Sequence, residues 1–221
     1  MASPSTRFDP TGGALPGIVP VFAIPGAILF PGGRIPLIVF EPRYLAMVDD
    51  ALGAGRMFGL IQPNPNSTVP ADGLYSVGTL ARIVAFGETG DGRYLITAQG
   101  VRRFRIRNEE EGRSGYRRVS VDYAPFDCDL ESPTIHLPER SRLISLVRAH
   151  LGTVEDPGSE WEALDNLSDD ELTDRFAMAC PFSAEDKQTL LETTSHIERC
   201  HLMIAMIQRD LMNESSGSTV H

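Results

Sequence analysis

The stretch LFPGGRIPLIVFEPRYLAMV, residues 29–48, decides the fold. Its Pro31-Gly32-Gly33 segment is typical of a turn, and the apolar run Ile35–Phe40 is typical of a strand. Pro36 is compatible with the start of a strand or with an edge strand, because it has no N–H to donate. Pro42 suits the first position of a helix, where that N–H is not needed. The apolar residues that follow have helical spacing, so a strand leads directly into a helix.

Short apolar runs separated by turn residues surround this stretch on both sides. A series of this kind is typical of a β-barrel or a β-sandwich. The predicted strands are Ile18–Ile24, Ile35–Phe40, Met57–Gln62, Val77–Phe86, Arg93–Gln99, Val101–Arg107 and Tyr116–Tyr123.

From Pro138 onward the apolar residues follow a helical period instead. Ser168 and Ser183 each precede acidic residues in the manner of helix N-caps. Helices are predicted over 138–151, 168–179, 183–191 and 194–212. The sequence therefore predicts an α+β chain. Its parts are a disordered tail 1–14, a β-barrel subdomain 15–124, a linker 125–137, a helical bundle subdomain 138–212 and a loose tail 213–221.

Composition places the chain among globular proteins, with 42% hydrophobic and 23% charged residues in 221. That length can bury a core without disulfides or metals. Three cysteines without a close pair fit a reducing compartment. No stretch approaches the roughly 18 consecutive apolar residues of a membrane helix. The N-terminal residues lack the pattern of a secretory signal, so a soluble, cytoplasmic protein is expected.

Charge is unevenly distributed along the chain. Residues 1–80 have 4 basic and 5 acidic side chains, residues 81–120 have 9 and 5, and residues 121–221 have 7 and 20, net −13. A segment this acidic repels phosphate backbones. Nucleic acid is therefore disfavoured as a partner of the whole chain and stays open for its basic middle.

The run FAIPGAILFPGGRIPLIVFEPRY, residues 22–44, resembles the opening of the Lon protease N-terminal, substrate-binding domain. LYSVGTLARI at 74–83, GVRRFRI at 100–106 and DDELTDRFAMACPFSAEDKQTLLET at 169–193 follow in the order that this family has. The resemblance covers residues 15–212. It implies a PUA-like pseudo-barrel followed by a small helical bundle.

The motifs of Lon's ATPase and protease domains are missing from these residues. A Walker A motif needs a lysine after a glycine-rich loop, and Lys187, the only lysine, follows no such loop. Lon's Ser–Lys dyad needs a lysine of lowered pKa, whereas the neighbouring Asp186 is expected to raise the pKa of Lys187. The sequence therefore predicts a stand-alone, non-enzymatic member of the family that needs no cofactor.

Two other patterns are weaker. His196 and Cys200 lie one helical turn apart, but two ligands fall short of the roughly four that a structural zinc takes, so no metal is predicted. The glycine-rich run 87–92 lies between two strands, which favours a hairpin turn over a phosphate loop. No serine lies in a GxSxG elbow.

The run 101–107 alternates apolar and basic residues, so Phe104 and Ile106 are expected to face the core. The arginines between them then face outward, and in the next strand Tyr116 faces outward with them. Such a basic stripe is either a solvated face or a surface that binds RNA or acidic protein segments. The predicted stripe consists of Arg103, Arg105, Arg107 and Arg118.

The strand–helix junction is the strongest motif by resemblance. Glu41 can accept N–H bonds from the first turn of the helix, and Arg43 and Tyr44 can pack locally. Partner contact by these three residues is the alternative. The loop 62–73, with three prolines, is long for a compact domain and could form one wall of a peptide-binding surface.

Functions from different classes stay open at this point. The resemblance implies a non-enzymatic domain that binds unfolded or extended protein segments for a protease or chaperone. It would use a groove between barrel and bundle, or strand addition. The alternative is an RNA-binding regulator that uses the arginine stripe. A third class, a hydrolase or small-molecule enzyme, would need a site that no sequence motif marks.

Overall fold

The computed structural model describes residues 15–67, 71–130, 135–151 and 166–217. The strands are β1 Ile18–Ala23, β2 Arg34–Val39, β3 Met57–Ile61, β4 Val77–Glu88, β5 Tyr94–Arg113 and β6 Tyr116–Asp122. The helices are α1 Pro42–Gly53, α2 Arg140–Leu151, α3 Asp169–Ala179, α4 Ala184–Glu192 and α5 His196–Gly217, with a 3-10 helix at Ala124–Leu130. A barrel followed by C-terminal helices confirms the predicted α+β class.

Strand β5 organises the sheet because it pairs with β2, β4 and β6 along its 20 residues. The strand order is β2-β5-β4-β3-β1-β6, and β6 returns to β5 to close a barrel. β2 stays outside the closed ring as an edge strand, which explains how it accommodates Pro36. The sequence predicted two strands where β5 is one. Gly100 keeps its pairing with Ala81 of β4, so the strand continues through it.

The predicted order of turn, strand and helix in residues 29–48 is confirmed. The N–H of Gly33 donates to the carbonyl of Phe30 at 3.0 Å, which closes the turn. Helix α1 begins at Pro42, and it buries Tyr44, Met47, Val48 and Ala51. These side chains form one core with residues of the barrel strands, including Phe22, Phe58 and Ile96.

The barrel interior is a second core, centred on Phe104. A Cβ on Gly78 would lie 2.9 Å from the Cζ atom of that ring and 2.7 Å from the carbonyl oxygen of Leu60. No larger residue fits there without a shift of the strands. The described part of the barrel interior is therefore closely packed around Phe104.

The helices form a third core, which includes Phe30 and Val77 of the barrel and Phe126 of the 3-10 helix. At the start of α3, the Glu171 carboxylate accepts from the Ser168 N–H at 3.3 Å and from its hydroxyl at 3.0 Å. At the start of α4, Ser183 Oγ accepts from the N–H of Asp186 at 3.1 Å. Both predicted N-caps are thus in place.

The bounds predicted for the subdomains, linker and tails stay predictions. The structure describes parts of the linker and of the C-terminal tail. The stretch 125–137 was expected to be a linker, yet its described part carries the buried Phe126 and packs on the barrel. The tail expected over 213–221 is helical as far as Gly217, because extending an existing helix costs little. The tail expected over 1–14 lies outside the described residues. Among the described helices, none is long and apolar enough to cross a bilayer.

Candidate binding cleft

A cleft of about 820 Å³ lies where the barrel meets the helices. One wall is the connection between β1 and β2, residues 30–34, together with Gln99 of β5. The other wall is α3, through side chains between positions 170 and 179. Ionisable side chains of low exposure lie between the walls, and we call them the cleft floor. The cleft floor consists of Arg103, Asp129, Asp174, His196 and Arg199.

The barrel wall is fixed by a backbone contact with β5. The N–H of Gly32 donates to the carbonyl of Gly100 at 2.9 Å, and the N–H of Gly100 donates to the carbonyl of Gly33 at 2.9 Å. A Cβ at position 100 would lie 2.1 Å from the carbonyl oxygen of Phe30. Glycine is therefore required at position 100 because the wall crosses β5 in direct contact with its backbone.

Arg103 joins β5 to the helices, and only 2% of it is exposed. Its Nε and Nη2 atoms donate to the Asp129 carboxylate at 3.0 and 2.6 Å. Its Nη1 donates to the carbonyl oxygens of Leu191 at 2.9 Å and Thr193 at 2.8 Å. The prediction that Arg103 faces solvent is wrong, because the 3-10 helix and the α4–α5 corner cover that side of β5.

Arg199 of α5 is fully buried on the other side of the same corner. Its Nη2 donates to the Thr193 carbonyl at 2.6 Å, so this oxygen accepts from both buried arginines. Its Nη1 donates to Asp174 and, at 3.0 Å, to His196 Nδ1. Its guanidinium carbon lies 4.3 Å from the centre of the Phe30 ring. The hydrogen bonds and ring contacts of Arg103 and Arg199 thus connect the barrel to the bundle beneath the cleft.

Three side chains of the cleft floor have shifted pKa values because they are buried and lie near other charges. Burial raises the pKa of Asp174 to about 7, against the neighbouring Arg199 charge that lowers it. Burial, with the Arg199 charge, lowers the pKa of His196 to about 4. Burial also lowers the pKa of Arg199 to about 10, against the stabilising charge of Asp174. At neutral pH, His196 is therefore uncharged, and its Nδ1 accepts the hydrogen bond from Arg199.

The rim of the cleft differs from its floor. Arg34, at the start of β2, and Arg175, on α3, both line the cleft and are exposed. Neither side chain has a hydrogen bond or ion pair within the described ranges 15–67, 71–130, 135–151 and 166–217. We call these two residues the rim arginines. The rim arginines were not predicted from the sequence. Each is a single arginine far from the other in the chain, so the two do not form a basic cluster there.

An exposed apolar surface continues from the rim along the sheet. Residues 34, 36 and 38 alternate with the half-buried and buried positions of β2, so they share its outer side. Ile38 lies opposite Leu95 of β5, and the two are 57% and 47% exposed. Phe40, just beyond β2, is 63% exposed. We call this surface the outer sheet face, and it consists of Pro36, Ile38, Phe40, Ala85 and Leu95.

The junction residues lie outside the cleft lining. Glu41 makes no side-chain cap to α1, contrary to the expectation from sequence, because its carboxylate accepts from Arg43 Nε at 2.9 Å. The Arg43 guanidinium lies 4.5 Å from the centre of the Tyr44 ring. Tyr44 is buried, with its ring 4.1 Å from that of Phe22. These contacts support the local packing alternative for the three residues.

The remaining members of the predicted stripe are dispersed. Arg105 is exposed, Arg107 pairs with Asp122 at 3.1 Å, and Arg118 is half-buried. Tyr116, which was expected to face outward, is buried instead, and its hydroxyl donates to Asp50 of α1 at 2.7 Å. The expectation for Tyr116 is wrong because α1 packs over that side of β6. With Arg103 also buried, no continuous stripe of four arginines exists.

Lys187 and Cys200 are the other single residues for which an expectation came from the sequence. Burial lowers the pKa of Lys187, contrary to the expectation that Asp186 would raise it. The carboxylate of Asp186 is bound instead by Arg209 at 2.8 Å. Cys200 is buried in the bundle, and the part of the chain that the structure describes holds no group of three or more metal-ligating side chains.

The hairpin predicted over residues 87–92 is confirmed, because it connects β4 to β5 and the Thr89 N–H donates to the Arg93 carbonyl at 2.9 Å. In the loop 62–73, residues 68–70 lie outside the described residues. Its first residue, Gln62, is buried and donates to the Ala184 carbonyl at 2.9 Å. This end of the loop therefore holds barrel and bundle together.

The fold and the cleft define the class of this molecule, a pseudo-barrel with a C-terminal helical bundle and a cleft at their junction. The family model described as the ATP-dependent protease La (LON) substrate-binding domain matches residues 18–209 of the 221-residue chain. The chain belongs to this family of Lon substrate-binding domains.

Similar proteins and structures agree with this membership. Lon protease 2 of Sorangium cellulosum is 32% identical over 219 residues, which is 94% of this chain and 26% of that protein. Lon protease 2 of Myxococcus xanthus is 27% identical over 203 residues, 88% of this chain and 24% of that protein. The chain thus spans about a quarter of the length of these relatives.

A crystal structure of a Lon N-terminal domain protein from Xanthomonas campestris has the same fold. Its TM-score is 0.61 at 24% identity, and the match covers 85% of this chain and 97% of that one. The N-terminal domain of Mycobacterium avium complex Lon protease gives a TM-score of 0.61 at 21% identity. These likenesses support the barrel and the C-terminal helices as one shared architecture.

Proposed function

We propose that this chain binds extended, apolar segments of other polypeptides and catalyses no reaction itself. The bound segment lies along the outer sheet face and enters the cleft between barrel and bundle. Such a domain would supply polypeptides to a protease or a chaperone. The observation that carries the proposal is the continuity of the exposed apolar face of β2 and β5 with the cleft through Arg34 and Gln99.

The exposure of the outer sheet face supports this role. Single exposed apolar side chains are ordinary, but contiguous ones mark interaction surfaces. Ile38 and Leu95 are directly opposite neighbours on paired strands, and Phe40 follows two residues after Ile38. A polypeptide segment with apolar side chains would remove this surface from water, which is favourable at about 25 cal/mol per Å².

Strand addition at β2 is the less favourable mode. β2 is an edge strand, as such binding needs. Pro36, however, lies within it and has no N–H to offer to an added strand, which blunts the edge. Docking on the outer face needs no backbone pairing at this strand. The proposal therefore places the segment on the face of the sheet.

The test is fluorescence anisotropy with a labelled, permanently unfolded protein at two salt concentrations. Ile38→Ser with Leu95→Ser should weaken binding at least tenfold, because both apolar contacts are lost. Ile197→Ser is the matched control, since Ile197 is also exposed but lies on α5, outside the cleft lining. Equal binding by the double variant and the wild type would refute the proposal.

A labelled single-stranded RNA serves as the second titrant. RNA binding by an arginine surface would weaken steeply as salt rises. Arg105→Glu with Arg107→Glu reports on the exposed remainder of the predicted stripe. Salt-sensitive binding of RNA, with no binding of the unfolded protein, would replace the polypeptide proposal with the RNA alternative.

A further inference from the structure

The four arginines that line the cleft fall into two groups by their hydrogen bonds. Arg103 and Arg199 give their donors to Asp129, Asp174 and backbone carbonyls within the domain. The rim arginines, Arg34 and Arg175, have no acceptor among the described residues. Their guanidinium groups are therefore available to a bound molecule.

The acidic residues of the cleft are largely used as well. Asp129 and Asp174 pair with the two buried arginines. Glu171 accepts from Ser168 at the start of α3. Glu171 and Asp170, which also line the cleft, keep their negative charges and balance the two rim arginines in formal charge. The rim arginines are distinguished by their hydrogen-bond donors, because neither guanidinium has an acceptor in the described part of the chain.

We propose that the rim arginines select acidic side chains in the bound segment. This inference rests on the proposed function, because the same segment places its apolar residues on the outer sheet face. A planar guanidinium donates two parallel hydrogen bonds to a carboxylate. Arg34 stands on the barrel wall and Arg175 on the α3 wall, so carboxylates that enter the cleft meet a donor on each side.

The strand geometry sets the spacing of the recognised residues. Arg34 and Ile38 are four residues apart on the same side of β2, which is about 13 Å at 3.3 Å per residue. An extended segment that lies along this strand reaches both points with residues four positions apart. The expected ligand is therefore an extended segment in which Asp or Glu and an apolar residue lie about four positions apart.

Two labelled peptides test the inference directly. The first is a fluorescein-labelled, C-terminally amidated peptide of sequence GSGVTVTDSDGS, in which each aspartate lies four positions after a valine. The second has asparagine in place of both aspartates. At low salt, the aspartate peptide should bind the wild-type chain at least tenfold more tightly. Amidation removes the terminal carboxylate, and the charge of the label is the same in both peptides, so the two peptides differ only in their side-chain carboxylates.

Variants of the chain locate the effect. Arg34→Gln with Arg175→Gln should abolish the difference between the two peptides, because the aspartate side chains lose their guanidinium partners. Arg105→Gln is the matched control, because Arg105 is an exposed arginine of β5 outside the cleft lining. It should preserve the difference.

The outcomes separate this inference from the proposed function. Equal binding of both peptides by the wild type would overturn the inference alone. Absence of binding by either peptide and by the unfolded protein would overturn both. If the asparagine peptide with a free C-terminus bound as tightly as the amidated aspartate peptide, the cleft would recognise chain ends, and the inference would fail.

Discussion

The floor and the rim of the cleft use the same residue type in opposite ways. Arg103 and Arg199, on the floor, have acceptors for their donors inside the domain. Arg34 and Arg175, on the rim, have no acceptor in the described part of the chain. Burying a guanidinium without hydrogen-bond partners is very costly. The arginines of the floor therefore need carboxylates and carbonyls as acceptors, whereas the exposed rim arginines can donate to water. Hydrogen-bond partners, and not the presence of arginine, separate structural positions from available ones.

The largest expected effect is on the floor. Arg103→Leu leaves the Asp129 carboxylate buried without a cation and removes the donors to Leu191 and Thr193. Removing one partner of a buried pair costs about 3–5 kcal/mol of unfolding free energy. Chemical denaturation with urea should show this loss.

Arg105→Leu and Arg34→Leu are the controls for that experiment, since both side chains are exposed. Each should change the unfolding free energy by less than about 0.5 kcal/mol. An equal loss in Arg103→Leu and Arg105→Leu would remove the distinction between floor and rim.

A smaller effect is expected where the barrel wall crosses β5. Gly100→Ala would bring a methyl group to 2.1 Å from the Phe30 carbonyl oxygen, so the wall must move away from the strand. We expect a loss of about 2–3 kcal/mol in unfolding free energy and weaker peptide binding, because Arg34 moves with the wall. Gly90→Ala, in the β4–β5 hairpin with open space around its Cβ position, is the control. Unchanged stability in Gly100→Ala would show that the wall is loosely held.

The smallest effect is a pH dependence that nearly cancels in the wild type. The folded pKa of Asp174 is raised from 3.8 to about 7, so its contribution to stability falls as pH rises through that window. The folded pKa of His196 is lowered from 6.5 to about 4, so its contribution rises with pH from about 4 to 6.5. The two slopes oppose each other.

Single substitutions should expose each slope. Asp174→Asn should make stability rise with pH between about 4 and 6.5, and His196→Asn should make it fall between about 4 and 7. Thermal unfolding at a series of pH values measures both. Slopes of the same sign in the two variants would contradict the assignment of these pKa shifts to the floor.

The fold could be predicted from local patterns because each pattern reports a short-range cause. Pro42 at the start of α1, the Ser168 and Ser183 caps and the turn at residues 31–33 all act within a few residues. The continuity of β5 was missed because a glycine at position 100 is typical of a break. Only the distant segment that crosses it explains why glycine is there.

The location of the cleft could be predicted from the sequence, but the residues that line it could not. The resemblance placed a groove between barrel and bundle, and the structure has a cleft there. The alternation around Phe104 correctly placed the arginines of β5 on the other side of the strand. It could not show that the α4–α5 corner, nearly 90 residues later, covers Arg103. Burial by a distant segment does not change the alternation of apolar and polar residues along the strand.

The long reach of Arg103 has a consequence for synthesis of the chain. Its acceptors Leu191 and Thr193 lie 88 and 90 residues further along the sequence. At translation rates of about 5–20 residues per second, Arg103 is synthesised roughly 5–20 s before those two residues. Through that interval the guanidinium lacks these two acceptors. The nascent barrel therefore completes its junction with the bundle only when the last helices arrive, which makes the cleft the final part of the domain to form.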